Sequence, residues 1–280
     1  MPAHHTTTPL RAHLPSWPQP PGTPPPCPVS RAGGAGPMRV SWARHQDAVR
    51  QAQRLRFDVF CGEMGARPAP RVAGHDADIF DDFCEHLLVH DTATEQLLGT
   101  CRVLTPTQAR RIGSTCSDTE FDLTRLRSVR DDMVEVGRGC VRAGHRTGTV
   151  AATLWGALAG FMHDNQLGTL IGCASMPMQD DPATGLLGGV HAVASIWTRL
   201  QAHHLASAAF QVRPRLPLPI DDLDCSLQAR PPALIRASLR LGATVLGPPA
   251  WDPDLNTANL PMMLRLADVP AAFRHAGARS

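Results

Sequence analysis

The sequence predicts a mixed α/β fold, a central sheet flanked by helices, behind a disordered proline-rich N-terminal tail. Three observations carry this expectation. Val49, Ala52, Leu55, Val59 and Phe60 follow helical spacing across residues 46–63. Beyond them, short apolar runs separated by polar turns alternate with longer helical segments, without an internal repeat. The chain of 280 residues is 43% hydrophobic, enough to bury a core of domain size.

Taken in order, residues 1–37 hold 11 of the 26 prolines, two Arg and no acid, and read as the tail. They lack the basic and apolar regions of a secretory signal. A single folded domain is expected over 38–280. The helix at 46–63 is followed by an acid-rich loop with Asp76, Asp78, Asp81 and Asp82. Runs at 85–90 and 97–104 suit a hairpin, and 133–141 suits another strand. A helix over 147–165, ended by Asn165 and Gly168, precedes a buried strand at 169–175. Residues 184–204 and 231–241 read as helices, the latter with prolines in its first turn and Gly242 as its stop. Closing strands are expected at 243–246 and 260–266.

Composition excludes several chemistries. All 27 Lys+Arg residues are Arg, so Schiff-base lysine catalysis and P-loop or kinase lysines are absent. No Tyr is available as a general acid. Removing the tail leaves 25 Arg against 25 acids, a neutral domain without the basic footprint of a nucleic-acid binder. The longest weakly polar stretch, 149–162, falls short of the roughly 20 residues that span a bilayer. Eight cysteines without a C-x-x-C pair point to reduced, packed thiols and a cytoplasmic protein, and Cys140 reads as packed rather than nucleophilic. Thirteen His without ligand spacing point to no metal.

Three segments place charge where a core would be apolar: Asp78-x-x-Asp81, Arg102 in Gly99-Thr-Cys-Arg, and Glu135 with Arg138 in Val-Glu-Val-Gly-Arg. Buried charges are costly unless paired. Residues 135 and 138 share a sheet face only if a bulge intervenes, and Gly137 is a natural place for one. The expected arrangement is a cleft where Asp78, Asp81 and Glu135 meet Arg102 and Arg138. The alternative is an ion-pair network fixing the N-terminal helix on the sheet, the reading favoured for Arg56 with Phe60. Gly144-His-Arg-Thr-Gly148 reads either as a phosphate-binding loop before a helix or as a plain strand-to-helix turn. Asn256 and Thr257 either orient the cleft or cap local backbone.

The blocks FDVFCGEMGA (57–66), FDDFCEHLLV (80–89), GTCRVL (99–104), FDLTRL (121–126), VEVGRGCV (134–141), IGCAS (171–175), LRLGA (239–243) and DPDLNT (252–257) occur in an order that resembles bacterial ornithine N-acyltransferases. These make lyso-ornithine lipid from acyl carrier protein thioesters. More broadly, Arg56/Phe60, Asp78/Asp81, Arg102 and Glu135/Arg138 resemble the pattern of acyl-homoserine-lactone synthases, which share the GCN5-like N-acyltransferase fold. The tryptophan those synthases associate with S-adenosylmethionine is replaced by Ala66.

The resemblance implies transfer of a long-chain, 3-hydroxy acyl group to the α-amine of L-ornithine. The acyl-carrier-protein thioester would be a co-substrate with no further cofactor, and contact with the membrane would be peripheral, from the cytoplasmic face. Glu135 is then expected as the proton acceptor, with Arg102 or Arg138 on the α-carboxylate. Asp78 and Asp81 would neutralise these arginines or hold the side-chain ammonium. Backbone at Gly137 and Gly139 would face the thioester, and Gly144, Arg146 and Gly148 the phosphopantetheine. The competing readings are a lactone synthase and a non-catalytic membrane-active or binding protein. Met38 reads as the native start. N-terminal peptide mass spectrometry of the natively expressed protein should then find no peptide containing Ala3.

Overall fold

The computed structural model describes residues 37–66, 72–180 and 186–269, so the tail expected over 1–37 lies, except for Pro37, outside the described residues. The first half runs β1 (Met38–Trp42), α1 (Gln46–Phe57), a π-helical turn (Asp58–Glu63), β2 (Glu85–Asp91), β3 (Leu97–Leu104), α2 (Pro106–Ile112), α3 (Ser117–Glu120), β4 (Phe121–Asp122) and β5 (Met133–Val141). It continues with α4 (Thr149–Asp164), β6 (Thr169–Pro177), α5 (Gly189–His204), β7 (Arg213–Pro214), α6 (Ala233–Arg240), β8 (Thr244–Val245), β9 (Ala250–Asp252) and β10 (Thr257–Arg265). The main sheet has the order β1-β2-β3-β5-β6-β10-β8, with β9 also on β10, and β4 pairs with β7 apart from it.

Among the strand pairs of the described residues, β5 and β6 alone run parallel, as a crossover through α4 requires. Helix α4 packs on one face, burying Val150, Leu154, Leu158 and Met162 at four-residue spacing in a core that includes Leu87, Val89 and Val103. Helix α1 with Ala52 and Leu55, and the π-helical turn after it with Val59, cover the other face against Leu88, Leu97 and Cys140. The mixed sheet between helices is the expected architecture.

Three differences have local causes. The strand β1 was not anticipated: Met38, Val40 and Trp42 alternate with Arg39 and Ser41, but over only five residues. Helix α5 starts at Gly189 instead of 184: Gly188 and Gly189 both have positive φ, which breaks helical continuity. The helix expected from 231 begins after its two prolines, with Pro232 as N-cap.

The neighbourhood of β5 is irregular on both edges. Toward β6, pairing covers only Met133, Val134 and Glu135, and the strands part beyond it. Toward β3, Thr100 faces Cys140 and Arg102 faces Gly137, so Cys101 alone opposes both Arg138 and Gly139. This is a β-bulge. Arg138 sits within it at φ 52°, a left-handed conformation that costs a non-glycine residue about 1–2 kcal/mol. The bulge was expected at Gly137 and lies one residue further on.

Gly172 marks the point of parting. A Cβ there would lie 2.5 Å from the Val136 carbonyl oxygen, a backbone atom with little freedom to retreat. Gly172→Ala is therefore expected to force β5 and β6 further apart and to lower stability by about 1–3 kcal/mol, as overpacking does. Urea unfolding of the purified variant measures this.

Candidate active site

The site is built on a buried chain of alternating charges. Arg56, on the inward face of α1, is 1% exposed. Its Nε donates to Asp76 Oδ2 at 2.8 Å, and its Nη1 and Nη2 donate to the two oxygens of Asp81 at 2.9 and 3.0 Å. It also donates to the Asp76 carbonyl. Asp81 accepts the Asp78 N–H at 2.8 Å, which tightens the acid-rich loop into its 3₁₀ turn. Arg102 follows on β3: its Nη1 lies 2.6 Å from Asp78 Oδ1 and 3.5 Å from Asp81 Oδ1, and its Nη2 donates to Cys116 Sγ at 2.9 Å. The reading of Arg56 as an anchor of the N-terminal helix agrees with these contacts.

Burial pushes the Asp81 carboxyl up, but the hydrogen bonds and charge of Arg56, the charge of Arg102 and the Asp78 N–H outweigh it and hold it at about 2. Burial pushes the His86 imidazole down, and its Nε2 donates to the Asp81 carbonyl.

Arg138 completes the chain differently. The bulge turns its side chain to the face carrying Arg102, where Nη2 lies 3.7 Å from Asp78 Oδ2. Its Nε is 3.3 Å from Asp76 Oδ2 without the alignment of a hydrogen bond, and is a buried donor with no such partner. Arg138 is 29% exposed, against 3% for Arg102. Arg102 is therefore occupied, whereas Arg138 makes no hydrogen bond among the described residues and is partly exposed.

These arginines and Asp78 border a cavity of about 350 Å³, of the size that holds a small molecule. Phe80 and Cys116 line it beside them, Thr119 and Glu120 reach it from α3, and Arg215, Leu216, Trp251, Asp252 and Asp254 close it from the β7 and β9 side. Leu216 and Trp251 are large apolar side chains left exposed. A more open depression by Met162–Gly168 has only His163 and Asp164 as titratable lining and no part in the charge chain.

The structure brings Asp78, Asp81, Arg102 and Arg138 together, but Asp81 lies behind the cavity wall, held by Arg56. Glu135 also stands behind the wall instead of on it. It is 5% exposed, and it accepts from Cys116 N–H and Ser117 N–H, each at 2.7 Å, and from Ser117 Oγ at 2.5 Å. Burial raises its carboxyl, opposed by the Ser117 and Cys116 hydrogen bonds. The anticipated direct meeting of Glu135 with the arginines is therefore not found. It grips the start of α3, whose last residue is Glu120.

Gly137 borders open space: a Cβ there would meet nothing within 4 Å. Gly139 lies in the bulge against Cys101. Gly144 and Gly148 have positive φ, with Gly148 as the N-cap of α4. Arg146 is tied down, Nη2 to Glu63 Oε2 at 2.7 Å and Nε to the Val141 carbonyl at 3.0 Å. Burial lifts the Cys140 thiol to about 12, consistent with a packed thiol. All cysteines among the described residues are free. Thr257 Oγ1 donates to Asn259 Oδ1 at 3.1 Å, which ties the turn at Asn256 to the interior of β10.

Glu120, Asp252 and Asn259 were not singled out from sequence. The available signal was position: Glu120 immediately precedes the FDLTRL block, and Asp252 opens DPDLNT.

Comparison with known proteins places this chain among acyltransferases. An acetyltransferase (GNAT) domain matches residues 55–156. The chain is 32% identical over 241 residues to L-ornithine N(alpha)-acyltransferase of Rhodobacter capsulatus, covering 80% of this chain and 88% of that protein. It is 29% identical over 261 residues to the protein of the same name from Brucella abortus, covering 86% and 89%. Among solved structures, the CoA-dependent acyl-homoserine lactone synthase BjaI with SAM and isopentyl-CoA aligns at 16% identity and a TM-score of 0.48, over 82% of each chain.

The charge chain predicts acid sensitivity. The Asp81 carboxyl is depressed in the fold, so its contribution is full above about pH 4 and is lost as pH falls from the ordinary 3.8 toward about 2. The contribution lost should be about 2 kcal/mol. Asp81→Asn should abolish this part of the pH dependence and cost about 3–5 kcal/mol at neutral pH by removing the carboxylate that buried Arg56 and Arg102 share. Denaturant unfolding of both proteins between pH 7 and 2 measures both effects.

Proposed function

Because the chain belongs to the L-ornithine N(alpha)-acyltransferase family, we propose that it transfers a long-chain, 3-hydroxy fatty acyl group from acyl carrier protein to the α-amine of L-ornithine. The product is lyso-ornithine lipid, the first intermediate of ornithine lipid synthesis. The chain is an acyltransferase of the GNAT fold; donor and acceptor are the proposed refinement. The observation that carries it is the unspent guanidinium of Arg138 facing a cavity that also presents carboxylates.

An amino acid with a cationic side chain asks for opposite charges at its two ends. In this reading Arg138 takes the α-carboxylate, its planar fork matching two oxygens at once. Arg102 backs it by holding Asp78, and Asp81, pinned by Arg56, lies 3.5 Å from Arg102. Asp252 and Asp254, at the other side of the cavity, suit the side-chain ammonium. The thioester enters where β5 and β6 part, with its carbonyl oxygen against backbone N–H groups of the Gly137–Gly139 stretch. The phosphopantetheine phosphate lies toward Gly144, Arg146 and Gly148, near the first turn of α4, which has no acidic residue and no side-chain cap. Leu216 and Trp251 offer apolar surface at the cavity mouth for the start of the acyl chain.

No helix among the described residues is long and apolar enough to cross a membrane. The proposed location is the cytoplasm, with peripheral contact at the inner membrane face where the product partitions.

The full chain, given long-chain acyl carrier protein and ornithine, lysine, glutamine or S-adenosylmethionine separately, should yield N-acylornithine by mass spectrometry. Homoserine lactone from S-adenosylmethionine, or no product from folded protein, counts against the proposal. Arg138→Lys, which keeps the charge and loses the fork, should raise the ornithine KM about 10-fold or more, the cost of a charge-assisted hydrogen bond. Steady-state kinetics with saturating donor reads this directly.

A further inference from the structure

N-acylation needs a proton acceptor on the cavity wall, and Glu135 stands behind it. The geometry points to Glu120 as the catalytic residue that accepts the proton of the attacking amine, with Asn259 as its positioning residue. This inference rests on the proposed acyl transfer to an amino acid.

The other carboxylates of the cavity are committed elsewhere or stand at its edge. Asp78 is paired with Arg102 and faces Arg138. Asp252 Oδ1 accepts the Asp254 and Leu255 N–H groups at 3.0 Å each, which shapes its own turn. Asp254 is exposed at the rim. Glu120 is half-buried and differently held. Its Oε2 accepts from Asn259 Nδ2 at 2.8 Å, while its Oε1 has no hydrogen bond among the described residues. One oxygen fixed and the other open to the cavity is what a general base requires.

The support beneath Glu120 is unusually complete. Asn259 is 3% exposed on β10. Its Oδ1 accepts from Ser175 Oγ at 2.7 Å and from Thr257 Oγ1 at 3.1 Å. Its amide nitrogen faces Glu120 and, at 3.4 Å, Asp252. Ionised carboxylates only accept, so these acids dictate which side of the amide turns toward them. From beneath, Glu135 grips the first residues of α3, and Arg215 N–H donates to the Glu120 carbonyl at 2.8 Å. Two buried polar residues on separate strands thus hold one short helix, and the side chain they deliver to the cavity is Glu120.

The electrostatic surroundings agree. Burial pushes the Glu120 carboxyl up; the charge of Asp252 on β9 and of Glu135 on β5 add to this, while the Asn259 hydrogen bond and Arg138 oppose it. A more basic carboxylate is a better proton acceptor at neutral pH.

The step balances as follows. The ornithine α-ammonium loses one proton to Glu120, which passes it to solvent. The freed lone pair forms the C–N bond at the thioester carbonyl, and the C=O pair moves to oxygen. As the oxyanion collapses the C–S bond breaks, and the second nitrogen proton travels through Glu120 to the departing sulfur. Amide, free thiol and one released proton result.

The test compares wild type and Glu120→Gln, both as the full chain, with long-chain acyl carrier protein as donor. The variant should lose at least about 100-fold in kcat with ornithine KM little changed, the size of a general-base contribution. Its pH–rate profile should lose the acid limb that the wild type shows as Glu120 protonates. An ornithine analogue with a hydrazine at the α-position, neutral at pH 7, should restore most of the lost rate.

Asn259→Ala should give a smaller kcat loss with a shifted acid limb, and Glu120→Asp, should the Gln variant unfold, a partial loss with the limb retained. A Gln variant with wild-type kcat and an unchanged limb overturns the proposal. So does a change confined to KM with lost preference for ornithine over norvaline, which would make Glu120 an ammonium contact. If wild type itself acylates no amino acid, the functional reading fails and this inference falls with it.

Discussion

Two arginines sharing one buried aspartate hold the site together. Arg56 comes from α1, Arg102 from β3, and Asp81 from the loop between them, and none of the three is more than 6% exposed. Removing such groups from water costs several kcal/mol per ion, so the arrangement persists only because nearly every donor finds an acceptor. Asp81 takes two bonds from Arg56 and one from the Asp78 backbone. Helix, loop and sheet are fixed to one another by this exchange, and Asp78 is carried to the cavity edge as a result. Hydrophobic packing of Ala52, Leu55 and Val59 would hold α1 on the sheet, but it would not set the loop's register.

Against this rigid base, β5 is a strand interrupted on purpose. Its parallel pairing ends after Glu135, and its antiparallel pairing is broken by the bulge at Arg138 and Gly139. The left-handed backbone at Arg138 stores strain of the kind that accumulates at functional sites. What the bulge achieves is directional: it turns Arg138 onto the face of Arg102 and Glu135, whereas an uninterrupted strand would point it into the packing of α4. The same stretch leaves Gly137 bordering open space. Charge recognition and backbone access therefore arise from one irregularity.

How much of this was legible follows from how each residue departs from its surroundings. Arg102, Glu135 and Arg138 are charges inside apolar strands, and Asp78 and Asp81 repeat at a fixed interval, so contrast alone exposed them. Arg56 was legible as an anchor because it shares a helix face with apolar neighbours. Glu135 was correctly read as buried, but burial does not say which way a carboxylate looks, and it serves a helix start. Glu120 lies in a helix of four residues, too short for any period to show. Asn259 is neutral within an apolar strand, where nothing distinguishes it from a satisfied polar residue. The bound at 184 failed because propensity says little about two glycines whose φ is fixed by tertiary context.

The absence of tyrosine gives the remaining step of the argument. A thioester's departing sulfur needs less assistance than an alkoxide, so a dedicated strong acid is dispensable if a proton is already near. A general base that has taken a proton from the amine holds one in the place where the tetrahedral intermediate collapses. Glu120, anchored by Asn259 on one oxygen and open on the other, can take that proton and return it without a second titrating group. A half-buried carboxylate with a raised pKa suits both halves of the task better than a fully solvated one, because its two protonation states lie closer in free energy near neutral pH. The missing acid and the displaced base are then one problem, and a single carboxylate resolves it.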